Sequence, residues 1–403
     1  MATEINWDGR FARRASLMKR SAVREILKVA SRPEIISFAG GLPAAHLFPM
    51  RRVKAALMTV INRVGPEVLQ YSRTEGITEL RDWLAQHFST RRFQVNRENV
   101  LITTGGQQAL DLLGRILLDE GDKVVVENPT YLALLSAWRP TGAKFLPISG
   151  DAGGMCVEEL EPLLKQKPKA IYCVPNFQNP RGTTLTLSRR RRLLESARRY
   201  SVIVVEDDPY GELRYGEKAL PGLLQLDARN RGPEDLDSRV IHVGTFSKVL
   251  MPGLRIGWVI APRAVIDKLT QAKQAADLHT STLDQHLAFE LVTTGFLDEF
   301  LPVLQLHYAA RRDAMLGALE KYFPKDATWT KPDGGMFVMV TLPNINAGEL
   351  LPKALKAGVA YVPGEEFHMD GQGKNTMRLN FTNAPPNRIE AGIKALAGVL
   401  PCG

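Results

Sequence analysis

Short runs of β-branched and aliphatic residues alternate along the first two thirds of the chain with stretches whose apolar positions recur every three to four residues. The runs fall at residues 100–103, 123–126, 170–174, 202–206, 240–243 and 257–260. Each is apolar on both faces and too short for a helix, which predicts strands buried on both sides with helices between them. That is the pattern of an α/β fold built on a mainly parallel sheet. From about residue 300 the pattern changes. A helical stretch at 301–322 precedes strand-like 335–342, a helix at 347–356, strand-like 377–381 and a helix at 387–400. This predicts a smaller α+β domain. No repeat, low-complexity tract or Pro/Gly/Ser-rich linker separates the parts, so interleaved domains are expected: 1–45 joining the small domain, 46–299 as the large domain and 300–403 as the small domain.

The 403 residues, 44% hydrophobic and 24% charged, supply large cores and exclude a chain disordered throughout. Their number exceeds what one core accommodates, in keeping with two domains. No apolar run approaches the ~20 residues of a membrane span. The first 14 residues lack the apolar stretch of a secretory signal, so a cytoplasmic protein without membrane contact is expected. Cys156, Cys173 and Cys402 have neither CxxC nor Cys/His metal spacing, and read as packing residues in a reducing compartment with no metal site. The 52 Lys and Arg against 43 Asp and Glu give a net charge of +9, scattered apart from the arginine run 189–192 at the start of a predicted helix. That run reads as a solvated helix face, not a nucleic-acid surface, and the net charge favours anionic substrates.

Several strands run directly into residues capable of chemistry: Thr104 with Gly105 and Gly106, Pro175 with Asn176, Asp207, and Gly244 with Thr245. Ligands of open α/β sheets bind beyond the carboxyl ends of the strands, so these segments are expected to meet in one crevice. Residues 244–258, GTFSKVLMPGLRIGW, carry the strongest signal. Lys248 lies between an apolar strand and Pro252, preceded by Thr245 and Ser247 and followed by Arg255. Hydroxyls, backbone N–H groups and a guanidinium on one loop make an anion site, and an amine buried among them has the lowered pKa that attack on a carbonyl requires. The combination predicts a Schiff-base lysine beside a phosphate-binding loop.

This segment resembles the lysine motif of the fold-type I aminotransferases that use pyridoxal 5′-phosphate (PLP), in the branch of α-aminoadipate and kynurenine/aminoadipate aminotransferases. The resemblance runs, with motifs in the family's order, from ISFAGGLP at 36–43 to MRLNF at 377–381. TTGGQQALDLL at 103–113 is a strand end, a glycine turn and a helix start; it is not GxGxxG, so the dinucleotide fingerprint is absent. Such a turn offers free N–H groups and a positive dipole end to a phosphate. The resemblance assigns phosphate contacts to Gly106 and Gln107, with Thr245, Ser247 and Arg255 completing the cup. A carboxylate at the end of the 202–206 run can cap a helix or pair with an arginine. The resemblance instead implies that Asp207, three residues before Tyr210, keeps the cofactor's ring nitrogen protonated; Asp208 is left without a role.

In PNFQNPRG at 175–182, Asn179 is implied as a donor to the cofactor's ring oxygen, as is Tyr210, while Arg181 departs from the family's usual threonine. Tyr131 matches the tyrosine that stacks on the ring, although a core tyrosine reads the same way. An arginine inside an apolar strand needs a partner, and its planar fork suits a carboxylate. The resemblance assigns Arg378 to the substrate α-carboxylate, with Asn179 and Gly41 also touching substrate. QYSRTEGITELR at 70–81 resembles a segment that enters the partner subunit's site, where Tyr71 meets phosphate and substrate; Arg73 replaces the common proline. A homodimer with shared sites is implied. Residues 21–28 have helical spacing with Ser21 as N-cap. There the resemblance places Arg24 against the substrate's distal carboxylate, a solvated helix arginine being the plain alternative.

The implied reaction moves the amino group of an L-amino acid to a 2-oxo acid such as 2-oxoglutarate, with Lys248, Asp207 and Tyr210 catalytic. The implied donors are 2-aminoadipate and glutamate, extending to aromatic or branched-chain amino acids. The same constellation supports a PLP-dependent β-lyase or decarboxylase. A PLP-sensing regulator of transcription is a third reading, disfavoured because ISFAGGLP is reached by residue 36, leaving little chain for a DNA reader.

Overall fold

The computed structural model describes residues 5–30, 32–216, 218–232 and 235–401; Cys402 lies outside them. Helix α1 (Ala22–Ala30) starts after Ser21, whose Oγ accepts from Arg24 N at 3.4 Å, the cap expected from the sequence. Its apolar residues Val23, Ile26, Leu27 and Ala30 pack with Ala39, Ala360, Val362 and Phe367.

The central sheet has seven strands: β1 (Val100–Thr103), β2 (Lys123–Glu127), β3 (Lys144–Ile148), β4 (Ala170–Cys173), β5 (Ile203–Asp207), β6 (Val240–Thr245) and β7 (Gly257–Ile260). Their order is β1-β7-β6-β5-β4-β2-β3. β7 runs antiparallel to both of its neighbours, β1 and β6, and the other six strands share one direction. β1, β4 and β7 are buried at every residue, which is why they read as unbroken apolar runs. β5 and β6 extend beyond their runs to Asp207 and Thr245, so the residues capable of chemistry are the strand ends themselves. β3, KFLPI, was not among the runs: Pro147 and its mixed exposure belong to an edge strand, which contiguous apolarity does not detect.

Helices α2 (Gly106–Leu117), α3 (Leu132–Trp138), α4 (Leu187–Arg199) and α5 (Arg263–Ala276) connect or follow these strands. The arginine run opening α4 corrects the expectation of a solvated face. Arg191 and Arg192 are exposed, but Arg190 is fully buried. Its guanidinium donates to Leu185 O (2.9 Å), Pro221 O (3.0 Å), Pro175 O (3.0 Å) and Asn176 Oδ1 (2.6 Å). Helical periodicity turns this one arginine inward, where it satisfies backbone carbonyls around the 175–185 turn.

A second sheet, β8 (Thr328–Trp329), β9 (Phe337–Thr341), β10 (Val362–Pro363) and β11 (Thr376–Asn380), is antiparallel in the order β8-β9-β11-β10. It is accompanied by α6 (Phe296–Tyr322), α7 (Ala347–Lys356) and α8 (Pro386–Ala397), with α6 and α8 packed together. The segment before the large sheet ties into this layer. Ile36–Ser37 pairs in parallel with Val359–Ala360, Asn380 N donates to Phe38 O (2.8 Å), and Ala44 N donates to Tyr308 Oη (3.0 Å). No helix among the described residues is long and apolar enough to cross a membrane.

Candidate active site

A cavity of about 980 Å³ opens where the carboxyl ends of β5 and β6 meet α1, α2 and β11. Of the residues to which the resemblance gives cofactor or substrate contacts, all but Tyr71 line it, whereas the strand-end residues Thr104, Gly105, Pro175, Asn176 and Gly244 lie behind the lining. Tyr71 is 78% exposed, its ring edge-on to His279 at 5.7 Å, and Arg73 beside it is exposed as well.

One end of the cavity is an anion cup. β1 ends at Thr103, Gly105 takes a φ of 77° that favours glycine, and α2 begins at Gly106. The turn thus aims the unpaired N–H groups of a helix start, and the positive end of its dipole, into the cavity. A Cβ on Gly257 would lie 2.6 Å from the Gly105 carbonyl carbon and 2.7 Å from Gly106 N, so only glycine lets β7 lie against this turn. Arg255, itself left-handed at φ 54°, brings Nη2 to 3.4 Å from Thr104 O. Thr245 Oγ1 lies 3.0 Å from Ser247 Oγ and accepts from Ser247 N at 3.1 Å, which fixes both hydroxyls beside the guanidinium.

Lys248 Nζ donates to Gly41 O at 2.9 Å. Burial, reinforced by the charges of Arg378 and Arg255, brings its amine down to about 8. Asp207 ends β5 in a buried position, and Tyr172 Oη donates to its Oδ2 at 2.6 Å. Burial pushes the Asp207 carboxyl up to about 6, with the Tyr172 hydrogen bond opposing and Asp208 adding to the rise. Asp208 accepts from the Asn176 side-chain Nδ2 (2.7 Å) and from the backbone Gly211 N (2.9 Å), and so closes the turn that presents Tyr210. Tyr210 is buried edge-on to Phe337 at 6.0 Å, and burial raises its hydroxyl well above the ordinary tyrosine value, keeping it a donor. Tyr131 is pushed up to about 12 by the same cause.

Arg378 sits fully enclosed on β11. Nη1 donates to Asn179 Oδ1 (2.8 Å), Nη2 to Ala39 O (2.6 Å), and Nε has no partner. The guanidinium lies over Phe337 (4.3 Å) and Phe367 (4.9 Å). Burial lowers it to about 10, so it stays cationic at neutral pH. Among the described residues it has no carboxylate partner, and a buried cation with a spare N–H calls for an anion. Arg181 does not disturb Asn179: its N–H donates to Gln178 Oε1 (2.9 Å), and Gln178 Nε2 donates to Pro129 O (2.8 Å), which pins the turn.

Below this turn Glu127 accepts from Val174 N at 3.0 Å, and burial pushes its carboxyl up to about 7. The folded chain therefore holds a proton that the unfolded chain releases near pH 4.5, and stability is lost as pH rises towards 7. Glu127→Gln is expected to flatten that dependence and to stabilise the cofactor-free protein at pH 8 by about 2–3 kcal/mol. Thermal unfolding at pH 5 and pH 8 measures it; equal melting of both proteins at pH 8 would refute the assignment.

Sequence reasoning missed several lining residues. Lys19 and Arg20 join Arg24 and Lys28 at the cavity wall, with Glu25 the acidic residue there. The basic pair directly before the Ser21 cap was the available signal. Phe337 and Phe367 carried none. Tyr172, behind the lining but bonded to Asp207, carried one: a hydroxyl in a strand buried on both faces must find a partner.

The model for class I and II aminotransferases matches residues 34–396. The chain belongs to that family and is a PLP-dependent aminotransferase of fold type I. An aromatic-amino-acid aminotransferase of Thermococcus litoralis is 43% identical over 410 residues, covering 99% of this chain and 96% of its own. A 2-aminoadipate transaminase of Thermus thermophilus is 42% identical, covering 98% of each. The solved α-aminoadipate aminotransferase of Thermus thermophilus, complexed with N-(5′-phosphopyridoxyl)-L-leucine, matches with a TM-score of 0.90 and 40% identity over 98% of both chains. The donors present fit the cofactor: an anion cup, a buried amine of lowered pKa and a buried carboxylate reach one cavity.

Proposed function

We propose that this aminotransferase takes the amino group of 2-aminoadipate and glutamate, with aromatic and branched-chain amino acids as further donors, and passes it to 2-oxoglutarate. The observation that carries the substrate class is a cavity with two cationic features: the enclosed Arg378, and the basic wall formed by Lys19, Arg20 and Arg24, beside which Lys28 is paired with Glu25 at 2.8 Å. A dicarboxylic amino acid answers both, its α-carboxylate to Arg378 and its distal carboxylate to the wall. Val23, Leu132 and Phe367 line the same space and support apolar donors. The related proteins named for aromatic amino acids and for 2-aminoadipate agree with that breadth.

Gly106, Gln107, Thr245, Ser247 and Arg255 would hold the cofactor's phosphate, Asn179 and Tyr210 its ring oxygen, and Tyr131 its face. Bound there, PLP supplies the electron sink for charge developing at the substrate's Cα. Lys248 Nζ would hold the cofactor until the incoming amino group displaces it, and the freed amine would then take the substrate's Cα proton as base and deliver it, as acid, to the cofactor's C4′. Asp207 keeps a proton on the ring nitrogen by remaining ionised. Arg378, Asn179 and Gly41 orient the substrate so that its Cα–H faces the amine.

A homodimer completes the reading. Met50, Met58, Ile61, Leu69, Tyr71 and Leu278 are exposed apolar side chains that a second copy would cover, carrying Tyr71 to the partner's phosphate. We further propose that 1–45 with 300–403 and 46–299 act as two domains, each with its own sheet. Cys156 and Cys173 are free thiols, in keeping with a cytoplasmic setting.

The test is the visible absorbance of the cofactor-loaded protein, with amino acids added singly. The bound-cofactor band is expected to fade with 2-aminoadipate or glutamate and to return with 2-oxoglutarate. A protein that shows no band when saturated with PLP, or that releases pyruvate and ammonia or CO₂ without needing a 2-oxo acid, overturns the proposal.

A further inference from the structure

Asp207 meets one hydrogen-bond donor among the described side chains, and it comes from the neighbouring strand. Tyr172, fully buried on β4, gives its hydroxyl proton to Oδ2 at 2.6 Å. The phenol is held in place from behind. Trp138 packs edge-on against it, with ring centroids 5.9 Å apart, and is itself fully buried. Trp138 Nε1 donates to Leu110 O at 2.7 Å, on the helix whose first turn forms the anion cup. Gly114 permits the approach, since a Cβ there would lie 2.6 Å from Trp138 Cδ1. One buried column, α2 to Trp138 to Tyr172 to Asp207, therefore spans the two ends of the site.

We propose that Tyr172 is a positioning residue for Asp207: its hydroxyl orients the carboxylate through Oδ2 and keeps it ionised, leaving Oδ1 to face the protonated ring nitrogen of the cofactor. This rests on the chain's being a PLP-dependent aminotransferase with Asp207 at that nitrogen. The need is physical. Burial favours the neutral carboxyl, and a neutral Asp207 cannot hold a proton on the ring. The other ionisable groups around it do not substitute for this bond. Asp208 opposes ionisation, and His242 on β6 favours it only through its charge while hydrogen-bonded to Glu206 (3.1 Å). Tyr131, Tyr210 and Cys173 are driven towards their neutral forms by burial and donate nothing to Asp207.

The holoenzyme Tyr172→Phe is expected to keep the cofactor's absorbance band while the acid limb of kcat moves to higher pH by about one unit, a tenfold change in the ionisation constant. KM for the amino donor stays near wild type. Cofactor release, followed by passing the protein over a desalting column in a PLP scavenger, quickens by about tenfold. In an Asp207→Asn background the same substitution should change neither the limb nor the release rate. The proposal is overturned if Tyr172→Phe leaves limb and release rate at wild type, or depresses activity equally at every pH and equally in the Asp207→Asn background. Should the phenylalanine variant not fold, 3-fluorotyrosine at 172 keeps the ring and the stack with a stronger donor. It is expected to shift the limb to lower pH, and an unmoved limb refutes the inference. The wild-type spectral titration tests the parent reading separately, so its failure and an unmoved limb are distinct results.

Discussion

Lys248→Ala is expected to lower amino-group transfer by about 10⁴-fold or more, because one substitution removes the group that binds the cofactor covalently and the group that moves the Cα proton. The phosphate cup is untouched by it, so PLP should still bind, although reversibly. Borohydride reduction followed by peptide mass analysis separates the cases: wild type carries the label at Lys248 and the variant carries none. Label on another lysine of the wild type would remove the basis for the catalytic roles of Lys248 and Asp207. The amine's environment adds a pH signature. Its pKa is brought down to about 8 by burial first and by Arg378 and Arg255 next. Capture of PLP by the cofactor-free protein requires the neutral amine, so its rate should climb through pH 7 and level off above pH 8, well below the range of an exposed lysine. Nor should the variant unfold more easily. Enclosing an amine near two guanidinium groups costs stability, so cofactor-free Lys248→Ala should melt at or above wild type.

What could be read from the sequence, and what could not, divides along a physical line. Buried parallel strands appear as unbroken apolar runs, and the ends of such strands mark the crevice, so the large sheet and the positions of Asp207 and Thr245 were legible. Lys248 and Arg378 stood out because each is a charge in an apolar setting, a conflict that only a partner resolves. The edge strand β3 was not legible, since Pro147 and partial exposure erase the run. Arg190 hid in a stretch of four arginines because composition does not show which of them a helix turns inward. Tyr172 showed that a buried hydroxyl needs a partner, but not that the partner is Asp207 on the neighbouring strand. The contact between Lys248 and the Gly41 carbonyl joins residues 207 positions apart, and Arg378 reaches Ala39 across 339. No local pattern encodes such meetings. They follow from the pairing of Ile36–Ser37 with Val359–Ala360, which carries the N-terminal segment over the mouth of the large sheet.

Arg378→Lys is expected to reduce kcat/KM by about 10²–10³ for every amino acid donor, and Arg378→Ala by about 10³–10⁴, the range expected when one partner of an enclosed charge pair is lost. Lysine keeps the charge and loses the arrangement. A compact ammonium cannot donate to Asn179 Oδ1 and Ala39 O while also meeting both oxygens of a carboxylate, and it is harder to strip of water beneath Phe337 and Phe367. Folding should suffer much less than catalysis. Alanine leaves those two oxygens without a donor, but it also removes a buried cation that has no carboxylate partner among the described residues, and the two effects oppose each other. The α-carboxylate assignment is checked by comparing glutamate with 4-aminobutyrate, which keeps the distal carboxylate and lacks the α one. Wild type should favour glutamate strongly, and Arg378→Ala should lose most of that preference because the group that senses the difference is gone. A variant that slows both amines equally would place Arg378 in the architecture of β11 and leave the α-carboxylate to another residue.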